Sequence, residues 1–82
     1  MEVRNIYCIL DLGEIKKDLV VKDLEQEGYK HNFLFGNTGT LELEDKVEYI
    51  NQSDEVWCFG DCSDTEDLML ARELGKDIWQ MG

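Results

Sequence analysis

The sequence predicts a single α/β domain, with a four-stranded parallel sheet in the order 2-1-3-4 and helices on both of its faces. Two observations predict this fold class. Short apolar runs of strand length alternate along the chain with longer segments in which apolar residues recur at helical spacing. The chain has 82 residues, and no linker, repeat or low-complexity run divides it, so one domain over residues 1–82 is expected.

The first strand is predicted over residues 3–10, because the run from Ile6 to Leu10 is continuously apolar and suits a strand that is covered on both faces. Asp11-Leu12-Gly13 forms a turn at its carboxyl end. A helix follows over about residues 14–27, with Gly28 at the position after a helix where glycine is favoured. Its predicted inward stripe consists of four apolar residues: Ile15, Leu19, Val20 and Leu24.

The second strand is predicted over residues 29–35, where alternating side chains indicate an edge strand with one wetter face. The next segment allows two interpretations, because residues 40–44 alternate as in a strand whereas the apolar residues that follow recur at helical spacing. A helix over about residues 41–52 is favoured, capped by Thr38 or Thr40. A short extended stretch can precede it.

A third strand is predicted over residues 56–59, a short apolar run that suits the centre of a sheet. Ser63 and Glu66 then match the capping-box spacing at the start of a helix, in which the N-cap hydroxyl and the later glutamate each bond the other's backbone N–H. The remaining predictions are the inward residues Leu68, Ala71 and Leu74, Gly75 after the helix, and a last strand over residues 77–81.

The composition argues against direct nucleic-acid binding. The formal net charge is −11 and the basic residues are scattered, so no basic patch is present to neutralise nucleic-acid phosphates. Such acidity is typical of a soluble protein surface, because net charge acts first on solubility. An acidic protein-interaction module, or an inhibitor that mimics nucleic acid, is the alternative interpretation.

The N-terminus and the cysteines indicate a cytoplasmic protein with reduced thiols. The first residues hold no cationic run followed by a long apolar stretch, so no signal peptide, transmembrane segment or membrane partner is predicted. The three cysteines form no CxxC motif and His31 is far from them in sequence, which argues against disulfides and against a metal site. Neither GxGxxG nor a Walker A motif is present, and no cofactor is predicted.

A ligand site is predicted at the carboxyl ends of the first and third strands, where the winding of the predicted sheet reverses direction. Two loops meet there, Asp11-Leu12-Gly13 and Gly60-Asp61-Cys62-Ser63, and each contains glycine and a carboxylate. The helix start after them attracts anions, but four carboxylates crowd it: Asp61, Asp64, Glu66 and Asp67. A sugar suits this edge better than a phosphate, because a carboxylate accepts two hydrogen bonds from vicinal hydroxyls.

Several residues at this site have two interpretations. Glu66 is either the capping-box residue or a nucleophile or general base, and Asp67 is the alternative acid. Asp11 is either a turn residue or a ligand-binding carboxylate. Tyr7 is either a core residue or presents its hydroxyl to the crevice. Cys62 is predicted to be exposed near a helix N-terminus, which would lower its pKa.

Several of these segments resemble nucleoside 2-deoxyribosyltransferase-like proteins: NIYCIL at residues 5–10, DEVW at 54–57, GDCS at 60–63 and LARELGKDI at 70–78. The resemblance implies a small Rossmann-like domain that forms homodimers or larger homo-oligomers. It implies cleavage or transfer of the N-glycosidic bond of deoxynucleosides or their monophosphates by a nucleophilic glutamate on the helix, through a covalent sugar intermediate. The spacing to Ala71 and Gly75 places that acid at Asp67, whereas the spacing to Ser63 places it nearer Glu66.

The function expected from the sequence is binding of a nucleoside or nucleotide-derived small molecule, without necessarily turning it over. The alternative is an N-glycosidase or deoxyribosyltransferase with Glu66 or Asp67 as nucleophile and a second acid among Asp11, Asp61 and Asp67. So short a chain has little wall to enclose a nucleoside, and a homo-oligomer in which a neighbouring subunit completes the pocket is expected.

Overall fold

The computed structural model of the chain describes residues 3–39 and 41–81. Strands and helices alternate along these residues: β1 (Asn5–Leu10), α1 (Lys17–Gln26), β2 (Asn32–Phe35), α2 (Leu43–Gln52), β3 (Glu55–Phe59), α3 (Glu66–Glu73) and β4 (Ile78–Met81). The strands form one parallel sheet in the order β2-β1-β3-β4. The predicted fold class and strand order are therefore confirmed.

β1 lies inside the sheet and is buried on both faces, as its continuous apolar run predicts. Ile6, Cys8 and Leu10 pack with Val20 and Leu24 of α1 on one face. The opposite face packs against α2 and α3 through Tyr7, Ile9, Ile50, Val56, Leu68 and Ala71. Two thin cores therefore flank the sheet, one under a single helix and the other under two.

α1 begins later than predicted, because a turn occupies the residues assigned to its start. The backbone oxygen of Asp11 accepts two N–H groups in this turn, at 3.0 and 2.7 Å. The predicted inward position of Leu19 is wrong, since this residue is 60% exposed. Val20 and Leu24 share the face toward the sheet, and Leu19 lies about 100° around the helix from Val20. Gly28 follows α1 with φ +79°, as predicted for a glycine after a helix.

β2 is an edge strand, as predicted, although it begins later in the chain. α2 confirms the helical interpretation of its segment and ends where it was expected to end. Its N-cap is Glu42, which makes no side-chain cap bond. The predicted cap Thr38 instead donates its hydroxyl to the backbone oxygen of Phe35 at 3.1 Å. The other predicted cap, Thr40, lies outside the described residues.

β3 and β4 complete the sheet. β3 begins one residue earlier than predicted, and β4 begins one residue later. In α3, Leu68 and Ala71 are buried as predicted and Leu74 is partly buried. Gly75 follows this helix with φ +69°, which again suits glycine. Within residues 3–39 and 41–81, no helix has the length and apolar character needed to cross a membrane.

Candidate functional site

The two loops of the predicted site lie side by side at the carboxyl ends of β1 and β3. The Asp11 N–H donates to the Phe59 carbonyl at 2.9 Å, which ties the first loop to the end of the neighbouring strand. Gly60 has φ +84°, and a Cβ atom there would lie 2.9 Å from Asp11 Cβ and 2.6 Å from Ile15 Cδ1. Residue 60 therefore has to be glycine both for its backbone conformation and for the close approach of the loops.

The water-facing part of this region is polar and acidic. Leu12, Gly13, Asp61 and Ser63 are exposed, and Asp11 is half-buried. Asp61 Oδ1 accepts hydrogen bonds from the Ser63 hydroxyl at 2.7 Å and from the Ser63 N–H at 3.2 Å. These bonds favour the charged form and lower the pKa of Asp61. The second loop thus presents an anionic carboxylate to solvent at neutral pH.

Cys62 is not exposed, so the prediction that its pKa would be lowered is wrong. Its side chain is only 2% exposed, and the thiol donates to the backbone oxygen of Ile9 at 3.4 Å. Burial raises the pKa of this thiol, and the carboxylates of Asp11 and Asp61 act in the same direction. The loop turns the side chain toward the end of β1 and away from water, which removes it from the ligand-facing surface.

The N-cap of α3 is Thr65, so the predicted capping box of Ser63 and Glu66 is wrong. The Thr65 side chain accepts from the Leu68 N–H at 3.3 Å and donates to the Cys62 carbonyl at 2.6 Å. Ser63 is engaged in the preceding turn instead. Glu66 is therefore the first residue of the helix and its side chain faces solvent.

Substitutions of Thr65 and of Ser63 are expected to have different effects on the free energy of unfolding. Thr65→Ala should lower the free energy of unfolding by about 1 kcal/mol, because the first turn of α3 loses its side-chain acceptor. Ser63→Ala breaks only exposed bonds to Asp61 and should change it by less than about 0.5 kcal/mol. Urea denaturation measures both variants. Equal losses would contradict the assignment of Thr65 as the cap.

A buried polar network joins β1, α2 and α3 at the same edge of the sheet. Tyr7 and Asp67 are each 1% exposed, and the tyrosine hydroxyl donates to Asp67 Oδ2 at 2.6 Å. Lys46 Nζ donates to Asp67 Oδ1 at 2.8 Å and lies 3.7 Å from Glu66 Oε1. Both oxygens of the buried carboxylate are hydrogen-bonded, which offsets the cost of removing its charge from water.

The protonation states of the network follow from its burial. Burial raises the pKa of Tyr7, and the adjacent Asp67 raises it further, so the hydroxyl remains a donor. The hydrogen bond to Asp67 raises the pKa of Lys46 and outweighs the opposing effect of burial. At neutral pH Tyr7 therefore keeps its hydroxyl proton and Lys46 its ammonium form, and both donate to Asp67.

Gly36 makes room for this network at the end of β2. Its N–H donates to the Cys8 carbonyl at 3.1 Å, so its backbone is held against β1. A Cβ atom at residue 36 would overlap the hydroxyl and Cζ of Tyr7 and would lie 2.6 Å from Cε1. The tyrosine ring thus occupies the space that any other side chain would need.

Tyr7 and Asp67 are candidates that the sequence itself indicates. Three further residues complete the arrangement and are not indicated by the sequence patterns: Gly36, Lys46 and Thr65. One signal was present in the sequence, because Asp67 precedes Ala71 and Leu74 by four and seven residues and so lies on the apolar stripe of α3. A carboxylate on such a stripe needs a buried partner. No local pattern identifies Lys46 as that partner.

Two cavities bounded by described residues flank β2 and lie away from the Asp11 and Gly60 loops. A cavity of about 260 Å³ lies on the α2 side, with Tyr7, Asn32 and Tyr49 among its walls. A cavity of about 330 Å³ lies on the α1 side. Both are near the lower limit for small-molecule pockets, about 300 Å³. Among residues 3–39 and 41–81, no group of three or more His, Cys, Asp or Glu side chains is arranged to hold a metal ion.

The carboxyl edge of the sheet offers two kinds of chemistry. The loop carboxylates of Asp11 and Asp61 can accept hydrogen bonds from the hydroxyl groups of a ligand. The buried network holds an acid, a hydroxyl and an ammonium group in a defined geometry. The chain matches no protein-family model, no curated protein and no solved structure.

Proposed function

We propose that the protein binds a nucleoside or a nucleotide-derived small molecule at the carboxyl ends of β1 and β3, without necessarily turning it over. The strand order is the observation that supports this most strongly. It puts a reversal of winding between β1 and β3, and open α/β sheets bind their ligands at such a point. The two loops at this point are in contact, and each carries a carboxylate, Asp11 and Asp61.

The charge of this edge favours a sugar over a phosphate. Asp61 is exposed and its pKa is lowered, so it offers an anionic acceptor to hydroxyl groups. Lys46 is already paired with Asp67 and Glu66, which leaves its charge largely neutralised. A phosphate at the start of α3 would therefore meet acidic side chains, whereas a ribose would find hydrogen-bond acceptors.

A thermal-shift series with nucleosides, nucleotides and cyclic nucleotides tests this proposal. A ligand that binds only the folded state at about 100 times its Kd adds about 2.7 kcal/mol of stability. For a domain of this size 1 kcal/mol corresponds to about 4–8 °C in Tm, so Tm should rise by about 10 °C or more.

Matched variants locate the binding site. Asp11→Asn and Asp61→Asn should each reduce the ligand-induced shift in Tm, because each removes a carboxylate from the loops. Asp23→Asn makes the same chemical change at an exposed position on α1 and should leave the shift unchanged. The absence of a shift with every ligand at millimolar concentration would contradict a small-molecule site of this type.

A second candidate function, cleavage or transfer of an N-glycosidic bond, is favoured by one contact. Asp67 is the acid that the spacing to Ala71 and Gly75 points to, and it is hydrogen-bonded to Tyr7 of the first strand. Asp67 is 1% exposed and both of its oxygens are occupied, so a substrate would reach it only if Lys46 moved aside. Binding is therefore the first proposal and catalysis the second.

Chromatography of free base released from deoxynucleosides and their monophosphates tests the second candidate. Catalysis through Asp67 requires release that Asp67→Asn abolishes and Glu66→Gln retains. The reverse pattern assigns the reaction to the exposed Glu66. No release by the unchanged protein removes the enzymatic candidate and leaves the binding proposal to the thermal-shift series.

A further inference from the structure

The cavity on the α1 side of β2 lies between α1 and β2, on the face of the sheet opposite the buried network. Its volume is about 330 Å³. Glu25 contributes the carboxylate-bearing wall from α1. Four ring-bearing side chains before and along β2 form most of the rest: Tyr29, His31, Phe33 and Phe35.

Phe33 stands at a steep angle to the two rings before it in the chain, whereas Tyr29 and His31 are inclined to each other by 33° with centroids 6.3 Å apart. Phe33 is nearly perpendicular to Tyr29, at 85° with centroids 6.5 Å apart, and makes 73° with His31 at 6.2 Å. Trp57, which is buried, supports the cluster with its ring centroid 5.3 Å from Tyr29 and 5.5 Å from Phe33. Tyr29, Phe33 and Trp57 therefore form one packed aromatic cluster, and the cavity lies beside Tyr29 and Phe33.

Hydrogen bonds orient two of the rings, His31 and Trp57. His31 Nδ1 accepts the backbone N–H of Arg4 at 3.2 Å, so in the neutral ring Nε2 carries the proton. Trp57 Nε1 donates to Glu55 Oε1 at 3.2 Å, and Arg4 donates to Glu55 Oε2 at 2.7 Å. These bonds orient His31 in the cavity wall and Trp57 behind the cluster.

The electrostatics of the cavity favour a cation. Aromatic faces attract positive charge through the quadrupole of the ring. The chain already shows this attraction, because Lys17 Nζ lies 5.3 Å from the centroid of Phe35. Glu25 adds a negative charge at the wall, and the net charge of −11 adds a long-range negative potential.

We propose that this cavity binds a small organic cation with a methylated ammonium group. A quaternary ammonium carries no N–H groups, so it loses no hydrogen bonds when aromatic walls replace its water. A primary ammonium would bring three donors into a site where Glu25 is the one anionic wall residue among those that line it. This site is separate from the nucleoside site at the carboxyl edge of the sheet and does not depend on it.

Titration with choline and with its neutral isostere 3,3-dimethylbutan-1-ol tests the proposal, because the two molecules differ in charge and hardly in shape. The readout is the NMR chemical shifts of the aromatic side chains. Choline should shift the resonances of Tyr29, His31 and Phe33 selectively. The isostere should bind about tenfold more weakly, the factor that corresponds to a cation–π contribution of ordinary size.

Substitutions in the cavity walls should change the affinity for choline in a defined direction and by a defined factor. Tyr29→Ala should weaken choline binding by about threefold to thirtyfold. The matched control is Tyr49→Ala on α2, because the two tyrosines are 41% and 42% exposed. Glu25→Gln should also weaken binding, whereas Glu44→Gln makes the same charge change on α2 and should not. Lys17→Met should strengthen binding, since Lys17 competes for Phe35.

Three results would overturn the proposal. Equal affinity for choline and its isostere would show that the cavity recognises shape alone. Choline shifts that are absent, or that are unchanged by Tyr29→Ala and Glu25→Gln, would place any binding elsewhere. A trimethyl-lysine peptide that binds more tightly than choline would assign the aromatic site to a protein partner and not to a small cation. Circular dichroism of each variant confirms that a lost shift reflects lost binding and not unfolding.

Discussion

Lys46→Met is expected to lower the free energy of unfolding by about 3 kcal/mol. The substitution keeps an unbranched side chain but removes the ammonium group that donates to Asp67 Oδ1 at 2.8 Å. Asp67 is 1% exposed, so its charge would stay buried with Tyr7 as its remaining partner in this network. That remaining bond puts the loss at the lower end of the range for a broken buried ion pair, about 3–5 kcal/mol. Urea denaturation followed by circular dichroism measures it.

Two further variants make this result specific. Lys22→Met is the same chemical change at an exposed position of α1 and should cost less than about 0.5 kcal/mol. The double variant Lys46→Met/Asp67→Asn should recover most of the loss, because the amide oxygen still accepts from Tyr7 and no charge is buried. Losses that simply add in the double variant would contradict a direct pairing of Lys46 and Asp67.

The double variant also separates the two candidate functions. If it folds, ligand binding at the exposed loops of Asp11 and Asp61 should persist, because neither substituted residue lies in those loops. Base release through Asp67 should be lost, because an amide is not a nucleophile of this kind. A folded double variant that still binds its ligand would show that binding does not need the network.

Gly36→Ala is expected to cost about 3 kcal/mol of unfolding free energy, at the upper end of the usual range for overpacking a core. The added methyl group would overlap the hydroxyl and Cζ of Tyr7. The ring has little room to retreat, because it is 1% exposed and its hydroxyl is held by Asp67 at 2.6 Å. The backbone of Gly36 is held as well, by its bond to the Cys8 carbonyl. Urea denaturation again gives the measurement.

A neighbouring glycine supplies the matched control. Gly39→Ala makes the same change in the same loop, at a position where an added Cβ meets no described atom within 4 Å. It should therefore change the stability by less than about 0.5 kcal/mol. Shortening the tyrosine in Gly36→Ala/Tyr7→Leu should relieve the overlap, so the double variant should lose less than the sum of the single variants. A simple sum would show that the cost at Gly36 arises elsewhere.

Local patterns were sufficient to predict the sheet. The continuous apolar run in β1 predicted a strand covered on both faces, and the alternation of strands and helices predicted a parallel order that the structure confirms. Gly28 and Gly75 were recognisable because a helix that ends in the left-handed conformation favours glycine there. These features depend on neighbours within a few residues, which a sequence displays directly.

Predictions of helix caps and of side-chain burial were less accurate, because contacts with neighbouring loops and with the sheet determine both. Ser63 and Thr65 both suit a helix start, and the turn with Asp61 engages Ser63 and leaves Thr65 as the cap. Cys62 belongs to a polar loop, yet the loop turns its side chain toward the end of β1. Leu19 fits the helical period, but the single face that α1 presents to the sheet is used by other residues.

The chain alone thus determined its fold class, its strand order and the pair of loops at the reversal of winding. Only the tertiary structure decided that Tyr7 and Asp67, 60 residues apart, share one hydrogen bond, and that Lys46 completes the pair from α2. The physical reason is the range of the interaction. Periodicity reports the face on which a side chain lies, whereas the partner of a buried charge is set by how separate elements pack across the sheet.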